Sequence, residues 1–125
     1  MPASKADIIR GLFEAYRTKN REAAEKTLAE DFTFTSPYDD AIDKATYFER
    51  CWPTSEYIQS QAVDKIFIEG DEAFVRYTAM AKDGKEFSNT EFFTFAGDKI
   101  ASVNVYFGAS YMNGTFLPQP LSGSS

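Results

Sequence analysis

The residues best placed to do chemistry are an arginine and a glutamate that one turn would bring together. Asp83-Gly84 reads as a two-residue hairpin turn between two alternating segments. In that register Lys82 pairs with Lys85, Arg76 faces Glu91 and Thr78 faces Asn89. Met80 then opposes Phe87, Phe74 opposes Phe93, and all of these side chains share one side of the hairpin. Cross-strand neighbours stand about 5 Å apart, and at an effective dielectric of ~20 the attraction between the two charges is on the order of 3 kcal/mol. An acid paired in this way stays ionised, which suits a general base or a polar anchor. Convergent polar groups inside a frame of Phe and Met are what a small-molecule site requires. The same pattern also describes a solvated ion pair on an outer sheet face, because the other side, with Val75, Tyr77 and Phe92, is itself apolar.

Other candidates are fewer than the composition suggests. Tyr16 lies on the apolar face of the first helical segment, where its hydroxyl can reach a pocket or a wet edge of the core. Asp39, Asp40 and Asp43 follow Pro37, and their types suit turns and caps better than a metal loop. Tyr47, Phe48, Cys51 and Trp52 form an apolar helix face that reads as core or pocket wall. The chain has no histidine, which excludes imidazole bases, Ser-His and Cys-His catalysis and His-ligated zinc. Its single cysteine excludes an intrachain disulfide and a CxxC pair. No phosphate-binding glycine loop is present, so no cofactor and no metal are expected. A net charge of −6 disfavours nucleic acid and anionic membrane, and no apolar run is long enough to span a bilayer. A cytoplasmic protein is expected.

These residues must be positioned by helices followed by strands. Ser4 caps a first helix whose apolar residues run from Ile8 to Tyr16, and Asn20 caps a second over 21–29. A short strand over 32–36 stops at Pro37, a loop follows, and Asp43 caps a third helix over 44–52 that Pro53 ends. Strands are expected over 58–68, 74–81, 87–95 and 100–112. Helices first and antiparallel strands after them make an α+β fold, with a curved sheet wrapping the helices into an open cone.

The order of elements, together with Ala29-Glu30-Asp31-Phe32-Thr33-Phe34-Thr35-Ser36-Pro37, Phe95-Ala96-Gly97-Asp98-Lys99-Ile100 and Val105-Tyr106-Phe107-Gly108, resembles the nuclear transport factor 2-like superfamily and its SnoaL-like domains. These include ketosteroid isomerases, limonene-epoxide hydrolase and polyketide cyclases. The resemblance implies a cystatin-like cone and places Glu91 inside it, with Val103, Val105 and Phe107 inward and Asn104 and Tyr106 outward. It also tests the isomerase chemistry residue by residue. The base position falls on Ser36, which is no carboxylate. The oxyanion tyrosine falls on Leu12, with Tyr16 one turn later as a substitute. The second oxyanion donor falls on Glu91. The last-strand aspartate of the hydrolase falls on Val105, leaving Arg76 and Glu91 as parts of an incomplete triad. Steroid isomerisation is therefore not expected.

The chain is thus read as one domain over 1–112 with a surface tail over 113–125. Two functions follow. One is a cofactor-independent enzyme performing proton transfer, isomerisation or hydration on a small apolar molecule in the cone. Glu91, Arg76 and Tyr16 would be catalytic, and Asn89, Thr78, Phe74, Phe93, Trp52, Ser36 and Val105 would surround the substrate. The other is a non-catalytic module that binds an apolar ligand or dimerises. An open cavity reaching Glu91 favours the first; a cone packed shut favours the second. A homodimer is expected through an outer face of Val75, Tyr77, Phe92 and Tyr106.

Overall fold

Capping residues set the helices where their types demand. Ser4 Oγ accepts from the Asp7 amide at the start of α1 (Lys5–Thr18), and Asn20 accepts from the Ala23 amide at the start of α2 (Arg21–Thr27). Asp43 does the same for the Thr46 amide of α3 (Lys44–Arg50). The computed structural model describes residues 4–118. In it α2 stops two residues earlier than its pattern suggests, because Lys44 Nζ donates to the carbonyls of Glu25 and Leu28 and closes the helix end. Pro53 does not end the helical path either. It opens a 3₁₀ helix, Trp52–Tyr57, at a position where a missing amide hydrogen costs nothing.

The strands are β1 (Leu28–Ser36), β2 (Asp39–Asp43), β3 (Ile58–Glu69), β4 (Glu72–Ala81), β5 (Lys85–Ala96), β6 (Lys99–Met112) and β7 (Thr115–Leu117). They form one curved, unclosed sheet in the order β2-β1-β6-β5-β4-β3, with β7 added on β6. This is the expected α+β architecture. The sheet is mixed, since β1 runs parallel to β6. Ile9, Leu12, Phe13, Phe32, Phe93, Ile100 and Val103 fill the space between α1 and the concave face.

The β4–β5 hairpin differs from expectation by one residue, and the consequence is large. Ala81 and Lys85 flank a three-residue turn, Lys82-Asp83-Gly84. Only Gly84 has positive φ (94°), whereas a two-residue Asp-Gly turn needs it at both positions. Asp83 instead accepts from the Lys85 amide, and the Gly84 amide donates to Ala81 O. Val75 therefore opposes Glu91, Arg76 opposes Thr90 and Tyr77 opposes Asn89. A slip of one residue turns every side chain of β4 to the other face. Ala73, Val75, Tyr77 and Ala79 are buried, while Phe74 is 49% exposed and Arg76 is exposed. The physical reason is burial cost. This register seals an apolar row, whereas the other would take a guanidinium out of water.

Two other segments differ. The Asp-rich stretch after Pro37 forms β2, paired to β1 across Pro37-Tyr38. Thr115–Leu117, expected as tail, pairs with β6; positions 119–125 lie outside the described residues. The outer face of the sheet also changes. Val75 and Tyr77 are inside, and the outside carries a row of Phe67, Phe74 and Phe92. A row of Lys65 and Arg76 lies on one side of it, and a row of Glu69 and Glu72 on the other.

The register makes a direct prediction. Arg76→Ala should change stability by less than about 0.5 kcal/mol, as for a solvated side chain. Val75→Ala should cost about 2 kcal/mol. Urea denaturation of both variants checks this, and the reverse ranking would restore the two-residue turn.

Candidate functional site

A cavity of about 450 Å³ opens between the helices and the concave face. Leu12, Phe13, Phe32, Phe34, Val103 and Val105 supply apolar wall, and Tyr38 and Phe107, exposed and 5.8 Å apart, stand at its rim. The polar residues that reach it come from every layer. Tyr16 lies on α1, Asp39 on β2, Arg50 and Tyr47 on α3, Gln61 on β3, Tyr77 on β4, and Asn89 and Glu91 on β5.

Glu91 is the acid on the sheet side. Its cross-strand neighbours are Val75 and Val105. No cation faces it among the described residues, and its contact group is the Tyr77 hydroxyl. Burial pushes its pKa from 4.5 up to about 7, and the hydrogen bond from Tyr77 opposes that rise. Tyr77 is itself oriented. Asn89 Nδ2 donates to Tyr77 Oη (3.0 Å), which leaves the phenolic proton for Glu91. Asn89 Oδ1 in turn accepts from the Gly108 amide (3.4 Å). That amide comes close because β6 bulges there; a Cβ on Gly108 would stand 2.3 Å from the Ser88 carbonyl oxygen. Burial and the nearby Glu91 push the Tyr77 hydroxyl far up, and the same two causes raise Tyr47 well above its ordinary value.

Asp39 sits in a different environment. Its side chain is only 8% exposed, with Arg50 Nη2 2.8 Å from Oδ1. Ser36 Oγ donates to Oδ2 (3.2 Å), and the Cys51 thiol approaches the same oxygen at 3.7 Å. Burial first, then Asp39, pushes the Cys51 thiol up to about 12, so it is no nucleophile. Among the described residues no three acidic or thiol side chains converge to hold a metal ion.

The expected residues are thus partly gathered and partly dispersed. Glu91, Asn89, Tyr16, Ser36 and Val105 line the cavity. Arg76, Thr78 and Phe74 stand on the outer face, carried there by the one-residue register difference. Thr78 hydrogen-bonds Asp64 (3.0 Å) and Ser88 instead. Phe93 and Trp52 are buried behind the wall; Trp52 packs edge-on against Tyr16 at 5.5 Å. Tyr16 Oη meets Thr54 Oγ1, and Thr54 gives its own proton to Cys51 O (2.6 Å). The Tyr16 proton is therefore spent on Thr54, and burial raises its pKa to about 12. Arg50, Gln61 and Tyr77 are cavity residues that the sequence does not announce, and Asp39, expected in a turn or cap, is buried at the cavity. Tyr47, expected as core or pocket wall from the apolar face of α3, lines it. For Asp39 and Arg50, which meet only through β2, no local signal existed.

A family model described as SnoaL-like domain matches residues 9–103. No curated protein matches the sequence. Among solved structures, an NTF2-like protein of unknown function from Cytophaga hutchinsonii is 26% identical, covering 86% of this chain and 92% of that one, with a TM-score of 0.71. IdmH, a candidate polyketide cyclase from Streptomyces antibioticus, is 18% identical over 84% of this chain and 92% of its own (TM-score 0.74). A candidate ketosteroid isomerase from Kribbella flavida is 17% identical over 93% and 82% (TM-score 0.71). The last two share the fold.

The environment of Glu91 fixes a pH dependence. Between 4.5 and about 7 the folded chain holds a proton that the unfolded chain has released. The contribution to stability is full below pH 4.5, declines as pH rises to about 7 and is level above it. At ~1.4 kcal/mol per pH unit the loss is at most about 3.5 kcal/mol. Urea midpoints from pH 4.5 to 8 should show this decline. Glu91→Gln should abolish it and be the more stable protein above pH 7. An equal decline in the variant would place the titrating group elsewhere.

Proposed function

Because the chain belongs to the SnoaL-like domain family, we propose that it is a cofactor-independent enzyme that moves a proton on a small, largely apolar molecule held in the cavity. The observation that carries this reading is a carboxyl with neutral partners only, facing an open cavity lined mainly by aromatic and aliphatic side chains. An acid that titrates near neutrality is present in both forms at physiological pH, which is the condition for efficient general acid–base work.

The geometry suggests the roles. Ionised Glu91 removes a proton from carbon beside a carbonyl, and the electron pair moves onto the carbonyl oxygen. Tyr47 Oη, which gains no hydrogen-bond partner among the described residues, is the donor available to that oxygen. In a ketone with a β,γ double bond the intermediate is a dienolate, Glu91 returns its proton at the γ carbon, and the double bond moves into conjugation, an isomerisation with no net loss. The hydroxyl of Tyr77 steadies the ionised form of Glu91 before the first transfer and after the second. Arg76 has no part in this, and Tyr16 serves as wall. The two enzyme-like neighbours, a candidate isomerase and a candidate cyclase, support carbonyl chemistry of this type.

The test is deuterium uptake from heavy water into a panel of bicyclic enolisable ketones, followed by mass spectrometry at pH 7. The chain should accelerate exchange for at least one ketone, with a rate that rises through about pH 7. Glu91→Gln should lower it by roughly 10²- to 10⁴-fold while keeping its circular dichroism spectrum. Binding without exchange would support a ligand-holding domain instead.

We also infer a homodimer through the outer sheet face. The Phe67, Phe74 and Phe92 row is flanked by basic residues on one side and acidic residues on the other. A two-fold axis on that row sets Lys65 and Arg76 of one copy against Glu69 and Glu72 of the next. Sedimentation equilibrium should give a dimer, and Phe74→Lys a monomer. A monomeric parent protein would contradict it.

A further inference from the structure

The polar groups around the cavity are used up unevenly. The Tyr16 proton goes to Thr54, the Tyr77 proton to Glu91, and the Ser36 proton to Asp39 Oδ2. Asp39 Oδ1 and Gln61 Oε1 are sealed from the cavity. What remains open to a ligand is a pair of donors. One is Tyr47 Oη, assigned above to the reacting carbonyl. The other is the guanidinium of Arg50, the one cation lining the cavity among the described residues. Arg50 is the last residue of α3, and its side chain is 53% exposed. Nη2 lies 2.8 Å from Asp39 Oδ1, which holds the group in place, while Nε and Nη1 gain no partner among the described residues. Asp39 follows Tyr38, which stands at the rim beside Phe107, so the guanidinium is at the mouth. Glu91 lies on the sheet wall next to the fully buried Val75. The cavity thus has an acid at its floor and a braced cation at its mouth.

A guanidinium presents its N–H groups in a planar fork, and the group that fills two of them at once is a carboxylate. Asp39 does not cancel this attraction. A carboxylate on the free edge would stand about 4 Å from the guanidinium carbon and about twice as far from the Asp39 carboxyl, so attraction outweighs repulsion roughly twofold. We propose that the substrate is a keto acid, its carboxylate bound by the free edge of Arg50 at the mouth while its ketone reaches Glu91 and Tyr47 below. This rests on the cavity being the substrate site and names the class of substrate it takes. The apolar walls hold the body of the molecule, and Arg50 sets which end enters first.

Binding can be measured without turnover. Isothermal titration calorimetry would compare 2-naphthoate, 2-naphthylacetate and 3-(2-naphthyl)propionate, whose carboxylates reach different distances, with their primary amides, which have the same shape and no charge. At least one carboxylate should bind about 10- to 100-fold more tightly than its amide. That ratio should fall as salt rises from about 0.05 to about 1 M, because the ion pair is exposed at the mouth. Removing Arg50 alone would strand the buried Asp39 charge, so the variant is Asp39→Asn with Arg50→Gln, which removes both charges together. It should bring the ratio to near one and leave the affinity for the amide unchanged. A carboxylate preference that ignores salt, or that survives in the double variant, takes Arg50 out of the recognition and overturns the proposal. If acids and amides bind alike, the carboxylate selection is wrong while the cavity still serves as a ligand site and the proton-transfer reading stands. If no probe binds, the selection and the reading of the cavity as a substrate site both fall.

Discussion

Gly84 adopts a conformation that side-chain-bearing residues avoid, and through it one turn decides which faces of β4 and β5 look inward. With three residues in the turn, Val75 lies against Glu91 and the nearest arginine is turned to solvent. The chemistry of the cavity follows from that choice. An acid opposite a guanidinium would be a permanently ionised anchor; an acid opposite valine in a curved sheet titrates near neutrality. The bulge at Gly108 adds the second half of the arrangement. It brings a backbone amide to Asn89, which turns the Tyr77 proton toward the acid.

The cavity therefore holds two carboxyl groups in contrasting surroundings. Asp39 has a cation and two side-chain donors, and so it is a fixed polar feature. Glu91 has one neutral donor and apolar strand neighbours, and so it is free to exchange a proton. Environments that push two acids apart assign them different work. The proton transfer proposed above falls to Glu91. The thiol of Cys51 lies beside Asp39, where burial and the neighbouring carboxylate keep it protonated.

Most of the fold was legible because its signals are local. Ser4, Asn20 and Asp43 each announce a helix start by side-chain chemistry, and the alternation of β3 to β6 is strong enough to locate the strands within about two residues. Glu91 and Asn89 were also legible, through the stretch Glu91-Phe92-Phe93-Thr94-Phe95 and the resemblance it carries. Their partner was not. Asp-Gly serves both a two-residue turn and the last two positions of a three-residue one, and the alternation on β4 offers an apolar row on either face. β2 escaped notice because Asp39, Asp40 and Asp43 are poor strand formers held in place by β1. Consequently the meeting of Asp39 with Arg50 could not be read from either segment alone.

The chemistry of the cavity depends on Glu91 being an inward-facing acid without a cation. The most direct test is the titration of the Glu91 side-chain carboxyl by ¹³C NMR in glutamate-labelled protein, with Glu91→Gln identifying the resonance. The midpoint should lie near 7, stay there in Arg76→Ala and rise in Tyr77→Phe. A midpoint at or below the ordinary 4.5, moved upward by Arg76→Ala, would contradict it and put the acid back beside the arginine.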